Sequence, residues 1–176
     1  MATGDEQATA LPPGALRDLE GMVGSVLVGE DNGAGLRMGI ACSRFNGSIT
    51  WRLLEGALAG LDECGVDRRD VKVAWSPGAF ELPLLAKVLA THGAVDAVIC
   101  LGAVIRGETG HYDLVAGECA AGVQRVQLDT GVPVAFGVLT TETVDQALAR
   151  SQPGPANKGR EAAETAIAMS RLVRAL

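Results

Sequence analysis

The sequence predicts an α/β domain built on a parallel sheet with helices on both faces. Three observations carry that expectation. Short apolar runs alternate with longer segments of helical spacing along most of the chain. The run from Val95 to Ile105 is almost wholly apolar, as in a central parallel strand covered on both faces. Polar, aromatic and glycine residues recur just after the strand candidates, where sheets of this kind bind ligands.

The elements follow in order. Residues 1–20 are rich in Ala, Gly, Pro and acids and read as a flexible arm, with 21–176 as a single domain. Gly24 to Gly29 is a short strand candidate, and Glu30 to Gly35 a loop. Leu36–Cys42 reads as a strand and Ile49–Cys64 as a helix with Leu54, Ala57, Leu58 and Leu61 in helical register. Val71–Trp75 is a strand, followed by a helix over Phe80–Thr91. After Val95–Ile105 come a helix over 111–128, a strand over Val132–Leu139 and a short helix over Thr143–Arg150. Two prolines and a glycine break the chain across Ser151–Ala156. A last helix spans 158–175, with Asn157 as its N-cap.

Composition narrows the function. The chain has 176 residues, 48% of them apolar, enough for one core with apolar surface left for subunit contacts. Its net charge is −6 and it shows no Lys/Arg cluster, which argues against nucleic acid and membrane surfaces as partners. The four cysteines lack metal-ligand spacing and read as small buried hydrophobes, which suits a reducing cytoplasm. The first residues carry no signal pattern, and no apolar stretch reaches the length of a membrane span.

Several residues beyond the strand ends admit two readings. Phe45 is either a core aromatic or a ring that stacks on a heterocycle. Glu81 either complements a helix dipole or accepts hydrogen bonds from sugar hydroxyls. Gly107 to Gly110 open a helix whose free N–H groups would suit an anion. His111 stands beside that site, where a neutral imidazole can move protons near pH 7. Arg150 ends a helix, and its charge suits that position on dipole grounds alone. Arg106 and Arg160 are either ion-pair or surface residues. Composition and spacing support an α/β domain with a site for a phosphate-bearing small molecule, and no more.

Six blocks carry a resemblance. Ser43-Arg-Phe-Asn46, Pro77-Gly-Ala-Phe-Glu-Leu-Pro83, Leu101 to Thr109 with His111, Phe136-Gly-Val-Leu-Thr-Thr141, Gln146-Ala-Leu-Ala-Arg150 and Asn157-Lys-Gly159 occur in the order of the signature blocks of lumazine synthases. From about residue 22 to its end, the chain resembles that family. The resemblance implies a flavodoxin-like three-layer sandwich with a four-stranded parallel sheet, the Gly24–Gly29 strand being added to a neighbouring subunit. It implies a transferase of riboflavin biosynthesis, with no metal and no organic cofactor. That enzyme condenses 5-amino-6-(D-ribitylamino)uracil with 3,4-dihydroxy-2-butanone 4-phosphate to 6,7-dimethyl-8-ribityllumazine, phosphate and water.

The resemblance also implies roles. Phe45 stacks on the pyrimidine, and Ala79, Phe80 and Glu81 hold the ribityl chain. Ala103, Val104 and Ile105 offer main-chain groups to the uracil edge. Glu108 and Thr109 bind phosphate, and His111 moves protons. Phe136, Arg150 and Lys158 come from a neighbouring subunit, with Arg150 on the phosphate and Lys158 on the pyrimidine side. The implied assembly is a homopentamer with active sites between subunits, extended in some relatives to a sixty-subunit icosahedral shell, with riboflavin synthase as a companion. The Gln-Pro-Gly-Pro-Ala link departs from the usual glycine- and lysine-containing one, which bears on the shell and not on the pentamer. Three rivals share the fold or the shape: an archaeal-type riboflavin synthase, a compartment or flavin-binding protein without catalysis, and a flavodoxin-like electron carrier. The glycine-flanked anion site and Arg150 count against the first, retained His111, Arg150 and Lys158 against the second, and Ser43-Arg-Phe-Asn-Gly47 is a poor flavin-phosphate loop for the third.

Overall fold

The computed structural model describes residues 11–176. Four parallel strands, β1 (Met38–Ser43), β2 (Val71–Ser76), β3 (Ala97–Ile105) and β4 (Val134–Thr141), form one sheet in the order β2-β1-β3-β4. The helices are α1 (Ala15–Glu20), α2 (Gly47–Glu63), α3 (Leu82–His92), α4 (His111–Thr130), α5 (Val144–Arg150) and α6 (Lys158–Ala175). Short 3₁₀ turns lie at Arg68–Asp70 and Ala79–Glu81.

The sheet separates two apolar layers. On one face Leu53, Leu54 and Leu61 of α2 and Ala163, Ala166 and Ile167 of α6 pack over Met38, Ile40, Ile99 and Leu101. On the other, Leu82 and Leu89 of α3 and Cys119, Val123 and Val126 of α4 cover Val98, Cys100, Val134 and Val138. β1 and β3 are covered on both sides, which is why their apolar runs are nearly unbroken. The α2–α6 approach is close enough that a Cβ on Gly159 would run into the Leu53 main chain, and one on Gly56 into the Asn157 side chain.

Three of the four cysteines are buried, and Cys64 is half-buried. Burial pushes the Cys42 thiol up to about 12 and that of Cys119 up to about 11, so both stay protonated packing groups. Among the described residues no group of His, Cys, Asp or Glu is placed to hold a metal ion. Nor, among them, is any helix long and apolar enough to cross a membrane.

The structure refines several expected boundaries. β4 runs to Thr141 and begins after Pro133, which has no N–H to donate; Val132 and Val134 instead bond to Thr130 Oγ1 at 3.2 Å and Gln127 Oε1 at 3.0 Å. The expected Phe80–Thr91 helix divides into the Ala79–Glu81 turn and α3, with Pro83 in the first turn of the helix. Within the segment read as an arm, residues 1–10 lie outside the described residues, and α1 is a short helix that buries none of its side chains. Gly24 to Gly29 form no strand within the single chain. The segment rejoins the domain at Gly29, which lies against the Ala168 main chain.

Candidate active site

The loops after β1 and β2 are stitched together. Arg44 and Phe45 donate their main-chain N–H groups to the carbonyls of Ser76, at 2.9 Å, and Pro77, at 3.1 Å. Ser76 Oγ reaches back to the Gly78 carbonyl at 2.9 Å. Phe45 therefore stands beside the Gly78–Glu81 turn, and it is 71% exposed, which excludes the core reading of that ring. Phe80 and Phe136 are also exposed. All three phenylalanines of the chain thus leave the core, Phe45 and Phe80 lining one groove and Phe136 another.

β3 supplies the floor. Its pairing with β1 stops at Leu101, whereas its pairing with β4 continues to Ile105. From Gly102 onward one side of β3 has no strand beside it. Asn46 fills part of the gap, its Nδ2 donating to the Ala103 carbonyl at 2.8 Å across 57 residues of sequence. Asn46 adopts φ 55°, a left-handed conformation that asparagine tolerates better than most side chains. Alternation along the strand turns the main chain of Val104 toward β4 and that of Ile105 toward the open side. Of the Ala103–Ile105 trio, Ile105 keeps main-chain groups facing the groove.

The groove has a volume of about 780 Å³ and holds Phe45, Ala79, Phe80, Glu81, Ala103–Ile105, Thr109 and His111 together. His111 is the first residue of the twenty-residue α4, and its N–H lies 3.4 Å from Thr109 Oγ1. The positive end of that helix thus opens onto the groove beside a threonine hydroxyl. Glu108 is exposed in the same loop but is not among the groove-lining residues.

Phe136, Arg150 and Lys158 lie elsewhere. They line a second groove of about 340 Å³ along β4, the outer strand opposite β2. Arg150, at the end of α5, donates from Nη1 to the Gln146 carbonyl at 3.1 Å, and no carboxylate pairs with it among the described residues. Lys158 bonds to both Glu161 carboxylate oxygens, at 2.7 and 2.6 Å. Its helix start is fixed by buried Asn157, whose Oδ1 caps the Gly159 N–H at 2.8 Å while Nδ2 bonds to the carbonyls of Arg52, Ser151 and Gln152.

Arg106 and Arg160 are both ion-pair residues. Arg160 joins Glu63 and Glu164, and Arg106 joins Asp113 and Glu142. Sequence reasoning missed Asn46 and Glu161 as parts of these grooves. Asn46 ends the Ser43–Asn46 motif, and Glu161, three residues after Lys158, forms a readable helical pair with it.

The sheet with helices on both faces and a groove beyond its strand ends defines a flavodoxin-like α/β protein, with a second groove on another surface of the chain. A family model described as 6,7-dimethyl-8-ribityllumazine synthase matches residues 35–174. A 6,7-dimethyl-8-ribityllumazine synthase of Protochlamydia amoebophila (strain UWE25) is 55% identical over 133 residues, covering 76% of this chain and 77% of the relative. The chain belongs to the 6,7-dimethyl-8-ribityllumazine synthase family, transferases of riboflavin biosynthesis that work on small molecules as oligomers.

Proposed function

We propose that the chain condenses 5-amino-6-(D-ribitylamino)uracil with 3,4-dihydroxy-2-butanone 4-phosphate, at a site made when the Phe45–His111 groove of one subunit meets the Phe136–Arg150–Lys158 groove of the next. One observation carries this reading. The rings Phe45 and Phe80 with His111 line one groove and the cations Arg150 and Lys158 line the other, and the two share no lining residue. The 55% identity to a lumazine synthase favours it over a riboflavin synthase of the same fold.

Phe45 gives a flat face for the pyrimidine, and Ile105 offers main-chain groups to its edge. Glu81, on the turn before α3, accepts hydrogen bonds from the ribityl hydroxyls beside Ala79 and Phe80. The start of α4, with Glu108 and Thr109, receives the phosphate, and Arg150 of the neighbour closes on it as a bidentate partner. Lys158 and Phe136 of the neighbour complete the pyrimidine side.

The amine attacks the ketone carbon, and water leaves as the imine forms. Loss of a carbon-bound proton expels phosphate, and the resulting enol returns to a ketone. The ribityl-bearing nitrogen then closes on that carbonyl, and a second water leaves. His111 moves protons at the imine and elimination steps. The amine is already a nucleophile and phosphate is a good leaving group, so proximity and orientation supply most of the acceleration.

The same reading places the protein in the cytoplasm as a homopentamer, with Gly24–Gly29 added to the neighbour's sheet at β2. Support comes from the outer position of β2, whose Val73 and Trp75 are each about 40% exposed. A sixty-subunit shell, with riboflavin synthase as a companion, is the further step, which sedimentation distinguishes from the pentamer.

The deciding experiment mixes the purified protein with both substrates and follows the fluorescent lumazine and released phosphate. Equal release of both above the spontaneous rate is the expected result. No product from a folded, assembled protein overturns the reading.

A further inference from the structure

Arg106 stands where three elements meet. Its N–H donates to the Thr141 carbonyl at 2.9 Å, which pins its main chain to the end of β4. Its guanidinium lies 4.0 Å from the centre of the Tyr112 ring. Nη1 and Nη2 bond to the two Asp113 carboxylate oxygens at 3.2 and 2.9 Å, and Nε lies 2.8 Å from Glu142. Tyr112 and Asp113 belong to the first turn of α4, and Glu142 precedes α5.

Between Arg106 and that turn lies Gly107-Glu-Thr-Gly110, the loop that carries Thr109 to the groove. Within it the described hydrogen bonds are the local one from the His111 N–H to Thr109 Oγ1 and that from the Asp113 N–H to the Gly110 carbonyl. One planar, always-charged side chain therefore spans the loop from end to end, using a fork and a stacking face that lysine cannot reproduce together. Arg106 does not line the groove, and of its side-chain partners only Tyr112 does. Its role in the site is the placement of other groups.

We infer that Arg106 is a positioning residue for the phosphate-bearing substrate: it holds the Gly107–Gly110 loop and the first turn of α4 so that Thr109 and His111 face the anion. The inference rests on the anion site proposed above. Because Glu142 precedes the helix ending in Arg150, the same clamp touches elements of both grooves of its chain. In a ring those grooves serve two different active sites.

The test compares the wild type with Arg106→Met, Arg106→Lys and Glu142→Gln, each checked for assembly by sedimentation. The KM for each substrate is measured with the other saturating, and inorganic phosphate binding is measured by calorimetry. Loss of the clamp is expected to raise the KM for the butanone phosphate and the Kd for inorganic phosphate about tenfold, within the range that misplacement of reacting groups produces. The KM for the pyrimidine should stay within about twofold. Arg106→Lys should recover part of the loss. Equal movement of both KM values, or wild-type phosphate affinity in an assembled Arg106→Met, overturns the inference. If Arg106→Met does not assemble, Glu142→Gln decides: a selective weakening for phosphate supports the clamp, and unchanged phosphate affinity rejects it. A wild type that makes no lumazine would defeat the activity reading alone, since calorimetry still compares phosphate affinity between the proteins.

Discussion

The two grooves differ in what builds them and in the charge they offer. The Phe45–His111 groove is formed from strand ends and the loops after them, over main chain exposed where β3 outruns β1. It offers rings, a carboxylate, a helix N-terminus and an imidazole, while the nearby cation Arg106 is already committed to two carboxylates. The groove along β4 brings Arg150 and Lys158 from helix ends. The first groove carries two of the three exposed phenylalanine rings and the second carries the two cations with the third ring, Phe136. The contrast teaches that the rings and the cations of these grooves stand mostly on different surfaces of the chain, which is what the proposed site between subunits joins.

That contrast can be broken most sharply by mixing subunits. Glu81→Ala and Arg150→Ala chains, assembled together in equal amounts, should regain about a quarter of wild-type sites, because random neighbours pair two intact grooves that often. Mixing that restores no activity would show that both grooves act within one chain. Arg150→Ala alone should lower kcat/KM for the butanone phosphate about 100-fold, the loss of a charge-assisted pair worth roughly 2–3 kcal/mol. The pyrimidine KM should barely change. His111→Ala should slow turnover by about 10- to 100-fold and leave measurable activity, because orientation survives the loss of one proton carrier. Complete loss in an assembled variant would assign His111 a larger part.

Smaller effects test the frame under the first groove. Asn46→Ala removes the donor to the Ala103 carbonyl and keeps an unfavourable φ, so it should cost about 1–2 kcal/mol, read as a lower unfolding midpoint. Acidification should act last. Burial alone would push the Asp96 carboxyl up, but hydrogen bonds from Arg37 and Arg174 outweigh it and hold the group below its ordinary range. That stabilising contribution is complete above the unfolded carboxylate range near about pH 4, and it is lost as pH falls through the lower folded value. Asp96→Asn should flatten the low-pH part of the melting curve. An unchanged profile would remove Asp96 from the account.

The sheet was legible because burial on two faces leaves a plain signal. β3 is an apolar run, and the helices around it show their buried stripes. The strand-end clusters after β1, β2 and β3 pointed to the edge where the larger groove lies, whereas Phe136 on β4 lines the other groove. Phe45 could be read only as a choice between core and ligand, since exposure is a property of the assembled loops. The Asn46–Ala103 bond was unreadable because nothing local joins residues 57 apart. The start of β4 was misplaced by two residues because apolar Val132 matches a strand, while Pro133 and the end of α4 claim it for a turn. Gly24–Gly29 has strand-like composition but forms no strand within its own chain. Sequence composition marks residues able to form a strand but not whether a partner strand is there to pair with them.

The four residues by which β3 outruns β1 bear on how such a site can evolve. In the proposed site Ile105 meets its ligand through N–H and C=O groups that nearly every codon at that position would encode equally well. A missense change there can disturb packing, but only proline deletes the N–H itself. Drift at position 105 is therefore shielded from selection on recognition of the uracil edge. Any inherited change of ligand preference must come from the side chains around it, Phe45, Glu81 and the neighbour's Lys158 first among them.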